Sequence, residues 1–159
     1  MENLSDYQKS KEAAQELYNN INSVFSPALQ VKITFPAEGF SHIIFKNHHS
    51  LREESSQILR FKLLPLAKKL IEISTTFQEF EKTIGEFIFK KHKKKIKECR
   101  AVKYWGLIAI IDNQKIKVII RKIGDNGGLT FWSVIPAWIT NKYRDTRFFT
   151  TMKGCPAED

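Results

Sequence analysis

The stretch that most constrains this chain runs from Val102 to Pro136. It reads VKYWGLIAII-DNQ-KIKVIIRKI-GDNGG-LTFWSVIP, in which runs rich in β-branched and aromatic residues are separated by polar Asn/Asp/Gly turns. Runs of that kind joined by such turns predict an antiparallel meander of three strands. Successive side chains of a strand alternate between faces. Ile116, Val118 and Ile120 therefore share one face of the middle strand, and Lys115, Lys117 and Arg121, with Ile119 among them, share the other. On the third strand the same alternation groups Thr130, Trp132 and Val134 on one face and Phe131, Ser133 and Ile135 on the other. The expected sheet has an apolar face that needs a cover. Its other face carries cations, a hydroxyl and a tryptophan, and suits something anionic and flat.

The cover is sought upstream. Ser5 with Gln8 makes a capping-box pattern, and Ala14, Leu17, Tyr18, Ile21 and Phe25 recur at helical spacing, so a helix is predicted from Ser5 to Phe25, ended by Pro27. Leu29, Val31, Ile33 and Phe35 alternate like a strand, stopped by Pro36. FSHIIF, residues 40–45, reads as a second strand or a buried connector. Ser50 with Glu53 forms another capping-box pattern. It opens a helix with the stripe Leu59, Leu63, Leu66, Leu70 and Ile73, in which Pro65 predicts a kink or a meeting of two helices. Arg52, Ser56 and Arg60 fall on one polar face at four-residue spacing. Phe77, Phe80, Ile84 and Phe87 predict a further helix, to about Gly85. The run KKHKKKIKECR that follows is left open, and Ala137 to Lys142 reads as a helical turn before an irregular end.

With 159 residues, 42% of them hydrophobic, the chain can bury one core, and a single domain over residues 1–159 is expected: N-terminal helix 1–27, core 28–136, C-terminal tail 137–159. A net charge of +9 favours an anionic partner, since much of it is clustered between Lys90 and Arg100. Cys99 and Cys155 form no CxxC pair, so no zinc site or redox dithiol is suggested, and few thiols fit a reducing compartment. The N-terminus shows no signal peptide. The apolar run Leu107–Ile111 is far too short to span a membrane. A cytoplasmic protein without membrane association is expected.

His42, His48, His49 and His92 lack the spacing and the accompanying carboxylates of a metal site, so no metal is expected. His42 sits in an apolar context, as a core histidine or as a catalytic one. Gly124, Gly127 and Gly128 precede a strand rather than a helix, so they read as a turn and not a phosphate loop. Lysines interleaved with Trp105, Trp132, Trp138 and Tyr143 suit the phosphates and unstacked bases of a single-stranded nucleic acid, although Trp105 reads as core.

The order of these segments, a strand and FSHIIF with His42, the helix RFKLLPLAKKLIE, then KIKVIIR and LTFWSVIP, resembles the compact ribonuclease superfamily that joins barnase, EndoU, nuclease colicins and RelE-type toxins (the BECR fold). The likeness extends over roughly Val31 to Pro136 and lies nearest the mobile-element and phage-associated toxins. It implies an α+β fold, with N-terminal helices packed on a curved, mainly antiparallel sheet. It also implies metal-independent endoribonuclease (hydrolase) activity on the open sheet face, with no cofactor. Carried onto this chain, the catalytic candidates are His42, Arg121, Ser133 and Thr130. Arg60, Lys62, Lys117, Lys93, Lys94 and Trp132 are candidates for binding RNA. The lysine-rich insertion before the sheet departs from the family and leaves the place of His92 and the strand order open. In such chemistry a ribose 2′-hydroxyl attacks the adjacent phosphorus, an imidazole takes the proton, and fixed cations meet the charge on the phosphoryl oxygens.

Two other classes fit the same residues. One is a non-catalytic RNA- or DNA-binding module. The other is an interaction protein that binds an acidic partner, such as an antitoxin or immunity protein.

Overall fold

A computed structural model describes residues 4–47 and 50–139. The chain runs α1 (Asp6–Asn20), β1 (Ser23–Ser26), β2 (Val31–Thr34), α2 (Ala37–Ile44), β3 (Phe45–Asn47), β4 (Ser50–Leu51), α3 (Glu54–Ile73), β5 (Glu79–Lys91), β6 (Lys94–Ile111), β7 (Gln114–Ile123) and β8 (Thr130–Ile139). It is an α+β fold. Six strands form one sheet in the order β1-β2-β8-β7-β6-β5, and β3 and β4 form a small ribbon. All neighbours pair antiparallel except β2 and β8, which meet in parallel at the Thr34↔Thr130 pair.

The helices cover one sheet face. Ala14 and Tyr18 of α1 and Phe61, Leu63, Leu64, Ala67, Leu70 and Ile71 of α3 pack against Leu107, Ile116, Val118, Ile120, Phe131 and Val134. The Ser5 capping box forms as its spacing predicts. The helix stops at Asn20, however, and Phe25 becomes a half-exposed residue of β1. Glu53, not Ser50, is the N-cap of α3, with no side-chain cap bond. Pro65 is exposed and α3 runs continuously through it. The buried stripe of α3 is rotated from the expected one. Leu63 and Leu70 are buried, but Ile73 is 56% exposed and Phe61, Leu64, Ala67 and Ile71 replace it.

Three expectations of secondary structure are corrected. The segment FSHIIF, expected as a second strand or a buried connector, is helical over residues 40–44 in α2 and enters β3 only at Phe45. The helix expected over 75–85 is the long strand β5, since Phe87 and Phe89 alternate with Ile84 and Ile88 across its faces. Residues 137–139, expected in a helical turn, continue β8. Residues 140–142, His48, His49 and Tyr143 lie outside the described residues.

Strand β8 supplies a further difference. Ile120 pairs with Phe131 but Ile119 pairs with Ser133, so Trp132 is an extra residue in the ladder. Such a β-bulge shifts the alternation. Phe131 and Val134 both join the main core, while Trp132 packs on the opposite face with Val102, Tyr104 and Ile119. Both faces of β7 are buried from Ile116 to Arg121.

Candidate functional site

The site forms where β2 leaves β8. Beyond the Thr34↔Thr130 pair, α2 and α3 pack against β8 in place of a neighbouring strand. Gly39 sets how close α2 comes. A Cβ there would lie 2.6 Å from the Phe131 carbonyl oxygen and 2.5 Å from the Tyr18 hydroxyl, so only glycine permits this approach. Helical periodicity puts residue 42 on the same face one turn later. There the His42 imidazole stacks on the Trp132 indole, with centroids 4.1 Å apart and planes 15° from parallel. The bulge that turns Trp132 away from the core thus makes the surface on which His42 rests.

Arginines from three segments converge on this imidazole. Arg121 of β7 places its guanidinium carbon 3.6 Å from the centre of the Trp132 ring and donates from Nη2 to Glu38 Oε2 at 2.7 Å. Arg52, just before α3, donates from Nε to the His42 carbonyl at 3.0 Å, and its Nη2 lies 3.3 Å from His42 Nε2. A guanidinium only donates, so Nε2 is the acceptor and the ring is neutral there. Arg60 of α3 donates from Nη1 to Ser133 Oγ at 2.8 Å and to the Val134 carbonyl at 3.3 Å.

Burial comes first among the causes that push the His42 pKa down to about 3, followed by the charges of Arg52, Arg60 and Arg121. The imidazole is therefore in its basic form throughout the neutral range. Arg52 is itself positioned from the protein interior. Gln57 Nε2 donates to its carbonyl at 2.7 Å, and the Tyr7 hydroxyl of α1 donates to Gln57 Oε1.

Among the described residues, three buried nitrogens of this cluster lack a hydrogen bond: Arg60 Nε, although Arg60 is bound through Nη1, and two adjacent donors that stand out. Arg121 is 7% exposed, and among the described residues its Nε has no hydrogen-bond partner. Nor has Nε1 of Trp132, the ring against which Arg121 lies. Buried donors are nearly always satisfied, so two orphans side by side indicate a place for an acceptor.

The structure thus brings together His42, Arg121, Trp132, Ser133 and Arg60. Thr130 lies beside Arg121 but its hydroxyl donates to the Arg121 carbonyl at 3.2 Å. Lys117 is 1% exposed and paired with Glu79 at 3.1 Å, away from solvent. Lys62 is exposed on α3. Lys93 and Lys94 lie at the far end of the β5–β6 hairpin. Sequence reasoning missed Arg52 and Glu38 as members. Arg52 was signalled by its spacing with Arg60, whereas Glu38 gave no signal until FSHIIF proved helical. Trp105 packs against the main core. Among the described residues no group of His, Cys, Asp and Glu could hold a metal ion, and no helix is long and apolar enough to cross a membrane. No protein-family model, curated protein or solved structure matches the chain.

Proposed function

We propose that this protein is a metal-independent endoribonuclease of toxin-like, BECR type, acting on single-stranded or loop RNA. What supports the reading above all is the pair of orphan donors, Arg121 Nε and Trp132 Nε1, beside a neutral imidazole. Both donor atoms are closed to solvent, so a phosphodiester would supply the missing acceptor only once Glu38 and Arg52 give way. The phosphodiester charge would offset the guanidinium charges that help depress the His42 pKa, so substrate binding itself makes the imidazole a stronger base. Arg52 moves from His42 Nε2 to the phosphate, and Glu38, 73% exposed, yields Arg121 to it.

In the step that follows, the ribose 2′-oxygen forms a bond to phosphorus and its proton passes to His42 Nε2. The phosphorus–O5′ bond breaks and the departing oxygen takes a proton from solvent. A 2′,3′-cyclic phosphate and a 5′-hydroxyl result. Arg121 and Arg52 meet the charge of the transition state with donors already in place. Ser133 is fully buried and acts through Arg60, whose guanidinium it holds beside the site.

The test is RNA cleavage in EDTA, followed by detection of 2′,3′-cyclic ends. Wild type is expected to cut, and His42→Ala and Arg121→Ala to lose most activity. Undiminished cutting by both variants removes this site. A second reading has its own observation: His42 is only 8% exposed, stacked and hydrogen-bonded, as a structural histidine would be. RNA bound with a steep salt dependence but recovered whole would favour that reading, a non-catalytic nucleic-acid-binding module.

A further inference from the structure

Strands β5 and β6 extend beyond the sheet. The last β7 partner of β6 is Ile123, opposite Val102; apart from a bond from Gly124 N to the Ala101 carbonyl at 2.7 Å, residues 94–101 pair with residues 84–91 of β5. At about 3.3 Å per residue, the eight pairs make a free two-stranded arm roughly 26 Å long. Between Glu86 and Arg100 there are seven lysines and arginines against two glutamates, so this short segment carries +5 of the chain's +9.

The arrangement of that charge matters more than its amount. Register places Lys90 opposite Lys95 and Lys91 opposite Lys94, two like-charged pairs in succession. Directly opposed like charges destabilise a ribbon. Lys90, Lys95 and Lys97 share one face, and Lys91 and Lys94 share the other. The turn between them, His92–Lys93, holds both residues at positive φ, 51° and 63°. L residues other than Gly, Asn and Asp adopt that conformation at a cost. The tip thus forgoes both turn chemistry and charge balance to present cations on two opposite sides. One strand of nucleic acid lying on one face would meet only half of them. Two facing rows of phosphates would meet all.

We propose that the arm grips a double-helical RNA segment between its two phosphate rows. The helix then lies next to the loop that enters the His42 site, so the substrate class is a stem with an adjoining unpaired segment. This rests on the ribonuclease reading for the identity of the nucleic acid. The major groove of regular A-form RNA is deep and too narrow for side chains, so the arm enters where the groove opens at the junction with the unpaired segment and contacts backbone rather than bases. On the same side of the sheet as the site, Phe87 packs with Val102, Tyr104, Ile119 and Trp132, and Arg100 lies 4.2 Å over the Phe89 ring. One continuous surface therefore leads from Trp132 to the tip.

The test is binding of two 2′-O-methyl RNA probes, which cannot be cut: a hairpin, and an unstructured strand of equal length, across a salt series. The variants are Lys90→Gln/Lys95→Gln/Lys97→Gln on one face and Lys91→Gln/Lys94→Gln on the other. Each is expected to weaken hairpin binding roughly tenfold or more at low salt, and to lower the salt slope by about 0.9 for each phosphate no longer neutralised. Weakening confined to one face overturns the two-row grip. Equal weakening on hairpin and unstructured strand overturns the preference for a helix, and unchanged binding of both removes the arm from recognition. Arm-dependent hairpin binding by a protein that leaves ordinary RNA whole would uphold the arm and remove the cleavage reading.

Discussion

Around His42 the cations are arginines, buried or half-buried and tied to fixed partners: Arg121 to Glu38, Arg60 to Ser133, Arg52 to the His42 carbonyl. At the tip of the arm they are lysines, exposed and facing one another across the ribbon. Planar guanidinium groups held in place suit directional contacts to one phosphate, whereas mobile ammonium groups attract a polyanion without fixing its geometry. The two hairpin turns repeat the contrast on one backbone. Asp112–Asn113, between β6 and β7, holds φ of 51° and 62° with residues that tolerate it. His92–Lys93 adopts the same conformation with residues that do not. The site is built for geometry at the expense of charge mobility, and the arm for charge at the expense of local stability.

The contrast predicts separable effects. The largest is catalytic: Arg121→Ala is expected to lower RNA cleavage about 10²–10³-fold, as removal of a fixed oxyanion donor does, with a far smaller effect on hairpin affinity. A variant that binds and cuts equally poorly would merge the two regions. Next is stability. Arg60→Ala withdraws a buried donor from Ser133 and Val134 and is expected to cost about 2–3 kcal/mol in urea unfolding. Lys95→Ala on the arm is expected to stay within about 0.5 kcal/mol.

The third effect is pH-dependent. Folding depresses the His42 pKa from 6.5 to about 3, so below pH 6.5 the unfolded chain binds a proton that the folded one refuses. Its contribution is complete above pH 6.5 and declines as pH falls towards 3, by up to about 1.4 kcal/mol per pH unit. His42→Gln is expected to flatten that part of the acid limb, measured by denaturant unfolding between pH 7 and 5. A smaller effect is at the turn. His92→Asn with Lys93→Gly is expected to raise stability by about 1 kcal/mol, and Asn113→Gly by less.

Periodicity made the meander legible, because each strand of Val102–Pro136 repeats apolar residues against a face. Alternation correctly separated Ile116, Val118 and Ile120 from Lys117, Ile119 and Arg121. It failed at Trp132, because a bulge leaves the composition of a strand unchanged. FSHIIF, read as a strand or a buried connector, proved helical up to Ile44, because so short an apolar run fits either period. Strand β5 was misread because Phe77, Phe80, Ile84 and Phe87 happen to recur at helical spacing. Burial in β5 does alternate, but its half-buried side begins with Glu79, Glu81, Thr83 and Gly85, which give no apolar signal. The joint presence of His42, Arg121 and Ser133 at one place was expected from the family resemblance. The burial of that cluster, and the roles of Arg52 and Glu38 in it, depend on tertiary packing of α2 against β8 and have no local signature.

The most direct measurement is the His42 imidazole titration by NMR from pH 4 to 8, alone and with a 2′-O-methyl RNA bound. Alone, the ring is expected to remain neutral across the range. With RNA bound, its pKa is expected to rise into the range, because a phosphate now faces the arginines. A ring that titrates identically with and without RNA would mean that no phosphate reaches it, and would contradict the account.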